Sequence, residues 1–154
     1  MRDPIWQDLA IVRHTQFLLH SYHHWTGQWL LTEGTPTAQA QQLFEAPFVM
    51  VSHGTEADPI FNYGNQTALD LWEMTWDRFT SLPSRHSVAP DERADREKLL
   101  AEARSQGYVT SYTGVRISTT GRRFYIKDVI LYDVLDEHQE RIGQAATFPT
   151  WEFL

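Results

Sequence analysis

Alternating apolar and polar residues near the end of the chain predict three consecutive antiparallel β-strands. Residues 108–118 are rich in β-branched and aromatic side chains, and a Ser-Thr-Thr-Gly turn follows at 118–121. A second strand is predicted at about 122–134, and a third at 142–148 after the polar connection 136–141. Because a meander with one apolar face needs cover, we expect the preceding residues to pack on it.

A helical pattern fills the start of the chain. Residues 5–31 are predicted to form one long helix or two linked helices, because apolar residues recur on one side of a helix. That apolar stripe consists of Ile11, Leu18, Tyr22, Trp25 and Trp29. Before the meander, the sequence also predicts helices at 38–44 and 91–106, a helix capped by Asn65, and short strands at 48–51 and 60–63.

The order of these elements predicts an α+β fold: a five-stranded antiparallel sheet with helices on one face and an N-terminal helical extension. Two strands before a helical insert and three after it are the arrangement of PAS-like domains, in which insert and sheet enclose a small cavity. We therefore predict an extension at 1–37 and a PAS-like domain at 38–154.

Composition and charge exclude several classes of function. The formal net charge is −7 with histidine neutral, so the chain gains no counterion-release energy from nucleic acid, and no nucleic-acid partner is predicted. No run of about 18 apolar residues is present. The first residues lack the apolar core of a secretory signal. We therefore predict a cytoplasmic protein without a membrane partner. The lack of cysteine excludes disulfides, zinc–thiolate sites and a cysteinyl–flavin photoadduct.

Several stretches resemble the MEKHLA domain family, and the resemblance runs through nearly the whole chain. The matching stretches are 46–54, 58–65, 68–72, 82–85, 112–118, 121–124 and 143–148. The resemblance implies a PAS-like fold and a role in sensing a chemical or redox signal, with no assigned reaction and no identified cofactor. The family occurs at the C-terminal part of plant homeodomain–leucine-zipper transcription factors and as short stand-alone bacterial proteins. This chain is similar to the bacterial stand-alone type, although the hexapeptide that names the family is absent.

The strand from Tyr108 carries the first candidate chemistry. Alternation places Tyr112, Gly114 and Arg116 on one face, where glycine leaves room and Arg116 supplies a fixed charge. A buried guanidinium needs an anionic partner, and a ligand carboxylate or phosphate would satisfy it. A protein carboxylate such as Asp58 or Asp70 is the more frequent kind of partner, and a solvent-facing Arg116 is a further alternative.

A histidine at a strand end is the second candidate. His53 lies between Ser52 and Gly54, with Asn62 and Tyr63 nearby in the sequence. It could serve as a base, a ligand anchor or a haem ligand. A hydrogen bond that orders the adjacent loop is favoured, because a single histidine without a spaced partner is a weak catalytic signal.

Aromatic and histidine clusters form the last two candidates. The aromatic residues Trp72, Trp76, Phe79 and Phe124 could wall a cavity, with ordinary core packing as the more frequent alternative. His20, His23 and His24 share a helix surface that can bind a metal, but no carboxylate completes the set, so an exposed polar face is favoured and no metal site is predicted.

The leading hypothesis is a sensory or ligand-binding module without catalysis, holding a small organic ligand for which Arg116 favours an anion. Its signal would pass through the N-terminal helix, whose stripe could pair with a second copy in a homodimer or simply cover the sheet of its own chain. The alternatives are a ligand-free interaction or dimerisation domain and an enzyme with His53 and Arg116 within about 8 Å across one pocket. The predicted ligand-binding residues are His53, Asn62, Tyr63, Trp72, Trp76, Tyr112, Arg116 and Phe124.

Overall fold

A six-stranded antiparallel sheet forms the centre of the computed structural model, which describes residues 3–154. Its strands are β1 (Val49–His53), β2 (Phe61–Gly64), β3 (Tyr108–Ile117), β4 (Arg123–Leu135), β5 (Arg141–Phe148) and β6 (Thr150–Phe153). The strand order is β2-β1-β5-β4-β3. Strand β5 pairs with the second half of β4, and β6 pairs with its first half.

Five α-helices accompany the sheet in the described part of the chain. They are α1 (Leu9–Thr26), α2 (Pro36–Phe44), α3 (Gln66–Trp72), α4 (Trp76–Phe79) and α5 (Arg93–Gln106). Short 3₁₀ turns lie at Ile5–Gln7, Ser84–Ser87 and Pro90–Glu92. Helix α1 ends before Gly27, whose φ of 74° is a left-handed conformation that glycine adopts without strain. The predicted N-cap Asn65 is confirmed, because its side chain accepts a hydrogen bond from the backbone N–H of Ala68.

Helices cover both faces of the sheet, as two neighbouring residues of β4 show. Leu131 packs with Leu99 and Ala103 of α5. The next residue, Tyr132, donates a 3.0 Å hydrogen bond from its hydroxyl to the backbone carbonyl of Leu18 in α1. Because successive strand residues point to opposite faces, α5 and α1 lie on opposite sides of the sheet.

The apolar stripe of α1 therefore covers the sheet of its own chain. Leu18 and Tyr22 are buried, and the indole N–H of Trp25 donates to the carbonyl oxygen of Asp133 at 2.9 Å. This is the alternative to pairing with a second copy that the sequence had left open. Trp29, the last residue of the predicted stripe, lies beyond α1 and is 43% exposed, and a homodimer stays a prediction.

The predicted α+β class with an antiparallel sheet is confirmed, with differences in detail. The sequence missed β6, which follows Pro149 and extends the pairing along β4 after β5 has ended. Proline cannot donate to a ladder, so the pattern gave no reason to continue the strand. The predicted division between residues 37 and 38 falls inside α2 and stays a prediction, and residues 1–2 of the extension lie outside the described residues.

Candidate functional site

A cavity of about 50 Å³ lies between α5 and the sheet. This volume accommodates only a few water-sized groups. Its apolar wall includes Val51, Phe61, Trp72, Leu99, Ile126, Val129, Leu131 and Phe148. Six polar or charged residues also line it, namely Ser52, His53, Ser87, Arg96, Arg116 and Gln144. The cavity is thus largely apolar, with a small set of polar groups.

Arg116 is 8% exposed and pairs with no carboxylate of the described residues within salt-bridge distance. Its guanidinium donates a 2.9 Å hydrogen bond to the carbonyl oxygen of Val115 and lies 5.7 Å from the ring centroid of Tyr112. The two carboxylates suggested by the sequence have other partners. Asp58 forms a bidentate ion pair with Arg85, and Asp70 accepts a hydrogen bond from Gln66.

A second buried arginine, Arg96 of α5, lines the same cavity and is 5% exposed. One nitrogen contacts the carboxylate of Glu97 at 2.9 Å, and the other donates to Ser84 Oγ at 2.5 Å. Glu97 itself is 64% exposed, so water screens its charge. Burial lowers the pKa of Arg96 to about 10, and the positive charge of Arg116 acts in the same direction. The cavity therefore brings two like charges together.

Arg96 was not among the residues predicted from the sequence. The signal was nevertheless present in the spacing. Arg96 precedes Leu99 by three residues and Ala103 by seven, so all three lie on the face of α5 that turns to the sheet.

His53 lies at the end of β1 on the cavity side and is 6% exposed. Its Nδ1 is 3.0 Å from the carbonyl oxygen of Gly54, which can only accept, so Nδ1 carries the hydrogen. Nε2 is buried and has no hydrogen-bond partner among the described residues. Burial lowers the pKa of His53 to about 4, so the ring is neutral at pH 7. The loop hydrogen bond favoured from the sequence is present, together with an unused lone pair on Nε2.

Three more of the predicted ligand-binding residues lie at or beside the cavity. Trp72 lines it directly. Phe124 is fully buried and packs edge-on against Trp72, with ring centroids 5.3 Å apart. Tyr112 is half-buried and donates from its hydroxyl to Asp95 of α5 at 2.7 Å. Phe124 and Tyr112 therefore support the lining residues and do not line the cavity themselves.

The other three predicted residues, Asn62, Tyr63 and Trp76, lie away from the cavity. Tyr63 points to the α1 side, where its ring centroid is 5.9 Å from His14 and 5.8 Å from Trp76. Asn62 is exposed and accepts a 2.5 Å hydrogen bond from Ser52 Oγ. Tyr63 pairs with Ser52, whose side chain contacts His14 of α1. A bulge in the β1–β2 pairing separates Tyr63 from Phe61, which pairs with His53 and lines the cavity.

The clustered histidines of α1 pack on tryptophan rings. His23 stacks on Trp29 with centroids 4.0 Å apart, and His20 meets the same ring edge-on. His24 packs edge-on against Trp25. Within residues 3–154, no group of three or more His, Cys, Asp or Glu side chains is arranged to hold a metal ion. The helices described for this chain include none that is long and apolar enough to cross a membrane.

Comparison with known proteins finds one family along nearly the whole chain. A family model described as the MEKHLA domain matches residues 12–153. The Arabidopsis thaliana homeobox-leucine zipper proteins ATHB-14 and ATHB-9 are 29% identical over 106 residues and 25% identical over 100 residues. Each match covers 65% of this chain and 12% of the plant protein. The chain thus corresponds to a small part of these relatives.

Solved structures show the same fold at low sequence identity. A PAS domain of a protein from Colwellia psychrerythraea superposes with a TM-score of 0.62 at 13% identity, covering 71% of this chain and 91% of that chain. A light-oxygen-voltage domain studied with a flavin analogue superposes with a TM-score of 0.60 at 13% identity, covering 76% of this chain and 84% of that one. At such identity, the likeness shows a PAS-like fold alone, and the predicted PAS-like class is confirmed.

Proposed function

Because the chain belongs to the MEKHLA domain family and has the PAS-like fold of sensory domains, we propose that it is a sensory module whose cavity takes a small organic anion. One observation carries the proposal. Arg96 and Arg116, two buried guanidinium groups, line one cavity, and no buried carboxylate among the described residues pairs with either.

Electrostatics supports an anionic ligand. Burying a charge without a partner costs several kcal/mol, on the order of the whole stability of a small domain. The like charge of the second arginine adds to that cost. A carboxylate in the cavity would accept hydrogen bonds from both guanidinium groups and reduce both penalties at once.

A flavin, the kind of molecule named for the light-oxygen-voltage comparison structure, does not fit this chain. A cavity of about 50 Å³ has no room for a three-ring isoalloxazine. The chain also has no cysteine with which to form a covalent adduct. The ligand is therefore a molecule of a few non-hydrogen atoms.

Signal transmission would run through the sheet to α1. Val51, Ser52 and His53 of β1 all line the cavity, and the Ser52 hydroxyl also forms a 2.9 Å hydrogen bond with His14 of α1. A ligand that binds one packing of the sheet better than another shifts the population between them, and α1 would follow. Amide hydrogen exchange in α1, measured with and without ligand, reports such a shift.

A ligand-free interaction domain is the second candidate, and the small cavity volume favours it. A few water molecules could solvate the two arginines, and the domain would then act through its surface alone. Catalysis through His53 and Arg116 has less support, because a base with a pKa of about 4 accepts a proton poorly at neutral pH. The homodimer and the bacterial stand-alone type stay predictions from the sequence.

The deciding experiment is a titration of the ¹⁵N-labelled protein with small anions, followed by two-dimensional NMR. Acetate, glycolate and phosphate are the probes, and acetamide is the neutral counterpart of acetate. We expect saturable shifts of amides in β1, β5 and α5 with at least one anion and none with acetamide.

Two variants test whether Arg116 holds the anion. Arg116→Met should weaken binding at least about tenfold, because a hydrogen-bonded charge pair is lost. Lys98→Met removes an exposed positive charge from α5 and should leave the affinity unchanged. No saturable shift with any anion, or equal affinity in Arg116→Met, would overturn the anion proposal and favour the interaction domain.

A further inference from the structure

The free nitrogen of His53 constrains the ligand further, given the proposed anion site on which this inference rests. Nδ1 carries the hydrogen and donates it to the carbonyl oxygen of Gly54, so Nε2 of the neutral ring presents a lone pair. Nε2 is buried and makes no hydrogen bond within residues 3–154. A buried acceptor left unpaired is unfavourable, because it has lost its hydrogen bonds to water and has gained none in return.

The position of His53 relates this acceptor to the two arginines. His53 lines the cavity with Arg96 and Arg116. The positive charge of Arg96 is close enough to contribute to the low pKa of His53, after the larger effect of burial. The cavity lining thus includes a hydrogen-bond acceptor and two cationic donors.

We infer that the ligand is a small hydroxy acid or a similar anion, in which the carboxylate lies against Arg96 and Arg116 and a hydroxyl group donates a hydrogen bond to His53 Nε2. A plain carboxylate would satisfy the arginines and leave Nε2 unpaired. A purely neutral alcohol would satisfy Nε2 and leave Arg116 without an anionic partner and Arg96 with only the exposed Glu97. Only an anion with its own donor pairs all three groups, and the small volume restricts it to a few non-hydrogen atoms.

Three ligands of nearly equal size separate these contributions in the wild-type chain. Glycolate carries a carboxylate and a hydroxyl donor, acetate lacks the hydroxyl, and fluoroacetate fills similar space without a donor. By NMR titration at pH 7, we expect glycolate to bind about tenfold more tightly than acetate or fluoroacetate, the effect of one net hydrogen bond plus relief of an unpaired acceptor.

The variant His53→Leu should bring the glycolate affinity down to that of acetate while leaving the acetate affinity nearly unchanged. His138→Leu, at a 76% exposed histidine outside the cavity, is the matched control and should keep the tenfold preference. Because the comparison among the three ligands is made in the wild-type chain, it holds even where a variant folds poorly.

The outcomes separate this inference from the proposed function. Equal affinities for all three acids, each lost in Arg116→Met, would refute the hydroxyl contact and leave the anion site standing. Absence of binding by these three acids and by phosphate would refute both.

Discussion

Replacing Arg116 by methionine is expected to leave the ligand-free protein about as stable as the wild type. Arg116 is buried at 8% exposure, which ordinarily indicates an internal partner of opposite charge. In this structure, the guanidinium has a backbone carbonyl and a tyrosine ring as neighbours, together with the like charge of Arg96. Removing Arg116 therefore removes no ion pair.

The expected change in unfolding free energy follows from the favourable and unfavourable interactions that Arg116→Met removes. The variant loses one hydrogen bond from a charged donor, about 1.5–3 kcal/mol, and a cation–π contact of about 1 kcal/mol. It also relieves several kcal/mol of charge burial and the repulsion with Arg96. These contributions nearly offset, so we expect a change within about 1 kcal/mol, or about 2–4 °C in melting temperature for a chain of this size.

Arg141→Met is the matched comparison, because Arg141 does have an internal partner. It contacts Asp133 at 3.1 Å, and the Asp133 side chain is 10% exposed. Removing one partner of a buried pair costs about 3–5 kcal/mol, and partial exposure of Arg141 reduces this to about 2 kcal/mol. Urea unfolding of both variants and the wild type at pH 7, without added ligand, measures the two changes.

The reasoning is refuted if Arg116→Met loses more than about 3 kcal/mol in this assay, because that exceeds the loss from breaking a partly buried ion pair. Such a loss would mean that a counter-charge of the protein itself stabilises Arg116. An anionic ligand would then no longer be needed to balance the charge of Arg116, whatever Arg141→Met does.

Two further predictions concern buried polar groups. Tyr132→Phe should lose about 1 kcal/mol of unfolding free energy, because the Tyr132 hydroxyl is hydrogen-bonded to α1. Tyr63→Phe should be neutral or stabilising, because the buried Tyr63 hydroxyl has no partner among the described residues. A larger loss in Tyr63→Phe than in Tyr132→Phe would contradict this. The pKa of His53 is about 4 in the folded protein against 6.5 in the unfolded chain, so the unfolded chain takes up the proton first as pH falls. The stability that neutral His53 contributes is therefore complete above pH 6.5 and is lost toward pH 4. Between pH 7 and pH 4, the free energy of unfolding measured with urea should therefore fall by about 3 kcal/mol less in His53→Gln than in the wild type. An equal fall in both proteins would disprove the assignment.

Much of the fold could be predicted from the sequence, because its signals act between near neighbours. Asn65 caps α3 and the turn near Gly121 precedes β4 as expected, whereas α1 ends before Gly27 and does not continue to residue 31. Capping groups, glycine and alternating side chains restrict the backbone within a few residues, so reading them requires no knowledge of distant contacts. The resemblance of the motifs to the MEKHLA family, with its PAS-like fold, was also readable from the chain alone.

The composition of the site depended on which residues face each other across the fold, and only the tertiary structure decided that. Arg96 is far from Arg116 in sequence, and the packing of α5 against the sheet brings both to one cavity. Tyr63 is ten residues from His53, yet it pairs with Ser52, the neighbour of His53 whose side chain contacts α1. The register of β3 against β4 also shifts twice near Tyr112, which no local pattern indicated. Local sequence preferences specify the elements, whereas the partner of a buried charge is determined by packing between residues far apart in the chain.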